Sequence, residues 1–344
     1  VEPESEHSAA TFCEGFAVAG GRVTNFTSGQ GLVLMKEVLY TISGKRLPMV
    51  FNIGARALTS HSLNVHAGHD DVMSVADCGW GVLFARNAQE AGDFSLIARR
   101  AAEASSTPFF AVQDGFLTTH TVESVRLIEP EFMREYVGRP EDKLHNLMDP
   151  DNPVMSGVVQ NQDSYMKGKI AQRWYYDQTA PALAEAFEEF YRKTGRRYVF
   201  VSPYRCDDAD YILVGIGCYM ETARTTIDYL REEKGIRAGC LTVYCFRPFP
   251  SRQIVEALRH CQAFTVIERM DDPLSTTGNH LTREIKAAFC DAMTGQNCVD
   301  PIERIPKIYS GSAGLGSRDV RPGDITAIFD NMIEDGPDYF CVGI

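Results

Sequence analysis

The stretch Met49-Val50-Phe51-Asn52-Ile53-Gly54-Ala55-Arg56-Ala57-Leu58 decides the fold, because an apolar run passes directly into an arginine. Met49–Ile53 reads as a strand, short and apolar enough to be buried on both faces. Upstream, Ser5-Glu6-His7-Ser8-Ala9-Ala10 opens a helix of small and apolar residues that runs to Gly20. Val23–Thr27 is a second strand, and Ser28-Gly29-Gln30-Gly31 turns it into a helix over Gly31–Ile42. In an open α/β sheet, sites form beyond the carboxyl ends of the strands. Arg56 therefore stands where a ligand is expected, and Glu6 heads a helix in the same unit.

The alternation continues downstream. Gly81–Ala85 and Pro108–Val112 read as strands, and Ala88–Ala104 as a helix with Ala91, Phe94, Leu96, Ile97 and Ala101 on its apolar face. Glu129-Pro130, Arg139-Pro140, Asp149-Pro150 and Asn152-Pro153 then break the rhythm with turn-forming pairs. Ala180–Thr194 is an amphipathic helix within this connector, which Trp174, Tyr175, Tyr176, Phe187 and Tyr191 anchor. A second unit follows, with strands at Tyr211–Ile216, Ala238–Tyr244 and Ala263–Ile267. Its helices are Met220–Glu233, Arg252–Arg259 and Leu281–Ala292, the last clear one. The fold class is α/β, with two domains, each a mainly parallel sheet flanked by helices.

With 344 residues the chain has ample core for about two domains. Its formal charge of −12 argues against nucleic acid, since phosphate contacts need a basic surface. No apolar run approaches the ~20 residues of a membrane span, and no basic-then-apolar leader opens the chain. The first residue is Val, which fits a processed or incomplete start. Ten cysteines include no C-x-x-C pair, so neither a zinc knuckle nor an iron–sulfur run is visible. They are expected to be buried, reduced thiols of a cytoplasmic protein.

Taken in order, Ser5-Glu6, Phe26-Thr27-Ser28-Gly29-Gln30-Gly31-Leu32, Ala55-Arg56-Ala57-Leu58, Gly68-His69-Asp70-Asp71-Val72-Met73, Asp114-Gly115-Phe116, Phe246-Arg247-Pro248-Phe249 and Gly314-Leu315-Gly316-Ser317 span nearly the whole chain. In that order and spacing the chain resembles the pyruvate:ferredoxin (flavodoxin) oxidoreductase family, the thiamine-diphosphate 2-oxoacid:acceptor oxidoreductases. The resemblance implies a pyrimidine-binding domain over 1–130, a connector with one helix over 131–196, and a transketolase C-terminal-like domain over 197–344. The family's first strand, and its Tyr-Pro-Ile-Thr-Pro-like turn with an active-site threonine, have no counterpart here. Nor do its diphosphate- and magnesium-binding, coenzyme A-associated and ferredoxin-like domains. The chain is therefore expected to be a subunit or fragment, active only with partner chains.

The resemblance assigns roles. Glu6 is the catalytic, cofactor-binding glutamate, set in an apolar pocket, that hydrogen-bonds the pyrimidine ring of thiamine diphosphate. Arg56 is the substrate-binding arginine, whose guanidinium fork matches the carboxylate of a 2-oxoacid. Ser28, Gln30, His69, Asp114 and Phe116 are expected to wall the pocket. Without the resemblance, Glu6 could simply favour the helix dipole, Arg56 could be a solvated charge, and Asp114-Gly115-Phe116 a plain turn. His61, His66, His69, Asp70 and Asp71 are a dense polar set, but their spacing suits no helical ligand pair and no metal is expected in this chain. Ser28-Gly29-Gln30-Gly31 lacks the lysine of a P-loop and reads as a tight turn near the pyrimidine. Gly314-Leu315-Gly316-Ser317 reads as structural.

The function implied is oxidative decarboxylation of a 2-oxoacid, pyruvate by default, to an acyl-coenzyme A. Thiamine diphosphate would be shared with a partner chain. Magnesium and iron–sulfur clusters would sit on partner chains, passing electrons to ferredoxin or flavodoxin. Two other readings stand beside it: the β subunit of another thiamine-dependent 2-oxoacid dehydrogenase, and a non-catalytic scaffold subunit.

Overall fold

A computed structural model of the chain describes residues 2–297 and 299–343. Its first domain is built from α1 (Glu6–Val18), β1 (Thr24–Thr27), α2 (Gln30–Leu34), α3 (Lys36–Gly44), β2 (Val50–Ala55), α4 (Asp70–Ser74), β3 (Gly81–Phe84), α5 (Ala88–Ser105) and β4 (Phe109–Asp114). The connector carries α6 (Pro130–Val137), α7 (Gln162–Tyr176) and α8 (Thr179–Thr194). The second half of the chain runs β5 (Val201–Tyr204), β6 (Tyr211–Gly215), α9 (Tyr219–Glu232), β7 (Ala238–Val243), β8 (Cys245–Arg247), α10 (Ser251–Leu258), β9 (Ala263–Glu268), α11 (His280–Thr294), β10 (Lys307–Ser312), α12 (Pro322–Ile333) and β11 (Tyr339–Cys341), all but β8 belonging to the second domain.

Strands β1, β2, β4 and β3 are parallel in that order, and β8 closes the first sheet antiparallel to β3. The second sheet has the order β11-β10-β9-β6-β7-β5, parallel except for β5. The two-domain α/β expectation thus holds. One detail is new: β8, supplied by the second half of the chain, completes the first sheet. Phe84 N–H donates to Tyr244 O at 2.7 Å at this seam. A single apolar cluster joins Phe51 and Phe110 of the first sheet to Phe246 and Phe264 of the second half.

Burial explains the strands. β2 and β4 lie between neighbours and bury nearly every side chain, as central parallel strands do. Trp80 stacks on Phe110 at 4.4 Å and 10° to fill the space beneath them. β1 is an edge, with an exposed Phe26. Helix α5 starts at Asn87, whose side chain accepts from Glu90 N–H at 3.0 Å, and ends at Ser106 in a left-handed cap.

Four expectations need correction. The connector holds three helices, not one. In α7 no residue is buried, so it lacks the core-facing stripe that sequence reading looks for; its signal is local, the Asn161 side chain accepting from Ser164 N–H at 2.9 Å. Gly31–Ile42 is two helices meeting at Met35, whose N–H is shared between Gly31 O and Leu32 O. Leu281–Ala292 is not the last helix: α12 begins with Pro322 in its first turn, and Arg321 N–H donates to Asp324 Oδ2 at 2.9 Å. The cysteines divide, since Cys290 and Cys341 are exposed while Cys78, Cys206, Cys240, Cys245 and Cys261 are buried. Cys298 lies outside the described residues. Among the described residues no helix is long and apolar enough to cross a membrane.

Candidate active site

The turn after β1 organises the site. Gly29, at φ 57°, adopts a backbone that favours glycine and starts α2. A Cβ on Gly31 would lie 2.6 Å from Glu6 Cγ and 3.0 Å from Glu6 Oε1. The Glu6 side chain therefore rests on bare backbone, and the absent side chain of Gly31 makes the space. On the far side of the turn, a Cβ on Gly29 would touch Arg56 Cβ at 3.7 Å. Glu6 and Arg56 thus flank one glycine turn.

Asp71, at the start of α4, ties this turn to the end of β2. Its Oδ2 accepts from Gly29 N–H at 2.7 Å and from Arg56 N–H at 3.0 Å, and its Oδ1 from Val72 N–H at 2.7 Å. Burial pushes the Asp71 carboxyl up to about 7, against the pull of those three donors. Gln30 Nε2 donates to Thr59 Oγ1 at 2.7 Å, closing the turn onto the loop after Arg56. Ser28, half-buried, accepts from Gly31 N–H through its carbonyl at 3.2 Å.

The Arg56 guanidinium lies over the Phe116 ring, 4.9 Å from its centroid. Its Nε is buried without a hydrogen-bond partner, and among the described residues it forms no ion pair. A buried guanidinium edge left unsatisfied is costly unless something else takes it. Such an edge suits an incoming carboxylate.

His69 and Asp114 do not line an open pocket. Both are buried in a network between the domains. Asp114 Oδ1 meets His69 Nε2 at 2.8 Å and Arg269 Nε at 3.4 Å, and Asp114 Oδ2 accepts from Cys218 N–H at 2.6 Å. Burial favours a raised Asp114 pKa, but the Arg269 guanidinium, then His69 and the Cys218 N–H, hold it well below the usual carboxylate range. The physical reason for the difference is geometric: Asp114 ends β4 and points across to β6 and β9. Gly217, at φ 91°, makes room, since a Cβ there would sit 2.4 Å from Asp114 Oδ2.

The apolar enclosure expected around Glu6 is not formed by this chain, where Glu6 is exposed. Ser5 caps α1 by accepting from Ser8 N–H at 3.5 Å, so the cap does not use the Glu6 carboxylate. The histidines do not converge on a metal: His66 packs on Phe116 at 4.6 Å, and His69 meets Asp114. Among the described residues no three His, Cys, Asp or Glu side chains form a metal-binding group. Ser317 is structural, its Oγ accepting from Ala67 N–H at 2.7 Å and propping the loop that follows Arg56. A cavity of about 730 Å³ beside Arg22, Val50 and Ser95 lies at the start of β2 rather than at its carboxyl end.

Sequence reading missed Arg269, Cys218, Glu268 and the bracing role of Asp71. Glu268 ends β9 and accepts from Leu281 N–H at 2.7 Å and Thr282 N–H at 3.0 Å, a carboxylate at the start of α11. A usable signal existed for the pair: Glu268-Arg269 directly follows an apolar strand, as Arg56 does.

Two family profiles match the chain. One is described as pyruvate flavodoxin/ferredoxin oxidoreductase, thiamine diP-bdg, over residues 1–188, and the other as pyruvate:ferredoxin oxidoreductase core domain II, over 209–325. The pyruvate synthase subunit PorA of Thermotoga maritima is 34% identical over 332 residues, 96% of this chain and 81% of that protein. The pyruvate-flavodoxin oxidoreductase of a Nostoc species is 33% identical over 354 residues, all of this chain but 29% of that protein. That of Klebsiella pneumoniae is 33% identical and again covered over 29% of its length. Against such relatives the chain spans under a third of their length. Among solved structures, a 2-oxoglutarate:ferredoxin oxidoreductase from Magnetococcus marinus superposes with a TM-score of 0.66 at 15% identity, over 97% of this chain and 56% of that one. It carries 2-oxoglutarate, coenzyme A and succinyl-CoA; at that identity the likeness supports the fold.

Proposed function

We infer the function from one premise: the chain belongs to the pyruvate flavodoxin/ferredoxin oxidoreductase family. It is then the pyrimidine-side part of a thiamine-diphosphate 2-oxoacid oxidoreductase. The reaction is oxidative decarboxylation of a 2-oxoacid, pyruvate by default, to an acyl-coenzyme A. The observation that carries this reading is the pairing of Glu6 and Arg56 across the Gly29-Gln30-Gly31 turn.

The residues present fit the cofactor. Glu6 is exposed on a cradle that a Cβ at Gly31 would fill, so a ring can approach its carboxylate. When bound, thiamine diphosphate supplies the electron sink that decarboxylation needs. Glu6 would hold a proton against the ring nitrogen and so fix the ring's orientation. Arg56 binds the substrate carboxylate with its free N–H edge and places the carbonyl beside the cofactor. Partner segments cover Glu6, exclude water, and carry the diphosphate, magnesium and iron–sulfur groups. They also supply the threonine of the family's first turn and pass electrons to ferredoxin or flavodoxin.

Replacement of Glu6 by Ala tests this. Turnover of the assembled enzyme is expected to vanish while the fold and the complex persist. Full retained activity rejects the assignment.

A further inference from the structure

We propose that Phe116, packed with His66 and His120, is a positioning residue that sets the plane of the Arg56 guanidinium for a 2-oxoacid carboxylate. The inference rests on the assignment of Arg56 to that carboxylate. Phe116 stacks parallel to His120 at 4.4 Å and 5°, and tilts against His66 at 4.6 Å and 52°. Two histidine rings thus restrain the one ring that the guanidinium lies over.

The loop is built to put that ring there. Phe116 has φ 60°, a left-handed backbone that is costly for a bulky aromatic residue. Its N–H donates to Thr119 Oγ1 at 2.8 Å, and the same Oγ1 lies 2.7 Å from His120 Nδ1. One hydroxyl therefore holds both the strained backbone and a flanking ring. Gly115 completes the path, because a Cβ there would come within 2.9 Å of Arg56 Cγ and 2.7 Å of Ala55 O. The arginine stem runs over bare backbone to reach the ring.

An aromatic face is a suitable support because of what it leaves free. A carboxylate partner would occupy the N–H edges of the fork, whereas a π face attracts the cation from above and fixes its plane. The buried Arg56 Nε without a partner is the edge so preserved. Asp71 takes the backbone N–H of Arg56 and forms no ion pair with its guanidinium.

The test uses the intact complex with its partner chains. Phe116→Leu is expected to raise the KM for the 2-oxoacid about tenfold, with kcat and the KM for coenzyme A little changed. Phe116→Tyr, which keeps the π face, recovers most of the affinity. In an Arg56→Ala background, Phe116→Leu has no further effect, because the ring acts through the guanidinium. Phe116→Met, near Phe in volume, replaces the Leu variant if that variant does not fold. Equal effects of the Phe116 change with and without Arg56 overturn the proposal, as does an unchanged 2-oxoacid KM. Arg56→Ala with an unaltered 2-oxoacid KM overturns the Arg56 assignment and this proposal together. A raised KM in Arg56→Ala, together with no response to Phe116 changes while Arg56 is intact, overturns this proposal alone.

Discussion

Replacing Asp114 by Asn removes the charge at the centre of the contact between the two domains and keeps its shape. The Asp114 and Arg269 side chains are 0% and 1% exposed, so solvent screens little of their interaction. The Asn oxygen can still accept from Cys218 N–H, which lies 2.6 Å from Asp114 Oδ2 in the native protein. What is lost is the counter-charge to Arg269 at 3.4 Å and the acceptor for His69 at 2.8 Å. Breaking a buried pair by removing one partner costs about 3–5 kcal/mol, and the same is expected here at neutral pH. The pH dependence has a definite sign. The folded pKa of Asp114 is depressed, so its contribution is full above the unfolded value of about 4 and is lost as pH falls below it. Urea unfolding followed through Trp80, which is 3% exposed, measures this. The gap between wild type and variant should be widest at neutral pH and shrink below about pH 4. A gap under about 1 kcal/mol, or one that does not change with pH, refutes the claim that an ionised Asp114 locks the domains.

Three further outcomes are expected. Gly31→Ala places a Cβ 2.6 Å from Glu6 Cγ; turnover should fall by about a hundredfold, as for a misplaced catalytic group, while thermal stability holds because Ala favours a helix. Arg56→Lys keeps the charge but loses the fork, and steady-state kinetics should show the 2-oxoacid KM rising roughly 10–100-fold. Asp71 has a folded pKa of about 7, so it binds a proton in the native state that the unfolded chain has released, and its contribution to stability falls as pH rises from ordinary carboxylate values to about 7. Asp71→Asn cannot titrate, and a denaturant series over that window should show this component missing; an undiminished slope counts against the buried, protonatable Asp71.

Much of the fold is legible because burial writes itself into composition. Val50–Ala55 and Phe109–Asp114 are apolar runs since they lie inside a covered parallel sheet. Elements that bury little leave no such mark. Helix α7 is carried by a cap and by contacts of its last turns, Gln172 to Gly44 O at 2.8 Å and Arg46 over Tyr175 at 3.4 Å. Strand β8 is three residues long and owes its place to a distant partner, β3. The site divides in the same way. Glu6 and Arg56 are visible as chemically apt residues at element ends. The work of Asp71 is not, because an aspartate that braces two backbone N–H groups 15 and 42 residues away looks like any other acid in a polar loop. Asp114 illustrates the converse: its motif drew attention, and the structure spends it on the domain contact.

The central claim is that this chain is one part of an oxidoreductase whose site other segments complete. The direct measurement is anaerobic purification from the native cell, with identification of every co-purifying chain or fused segment. A dye-reduction assay follows, dependent on both a 2-oxoacid and coenzyme A. Co-purifying segments that carry diphosphate-binding and iron–sulfur sequences are expected, together with dye reduction that requires both substrates. A chain that emerges alone, without thiamine diphosphate and without activity, contradicts it.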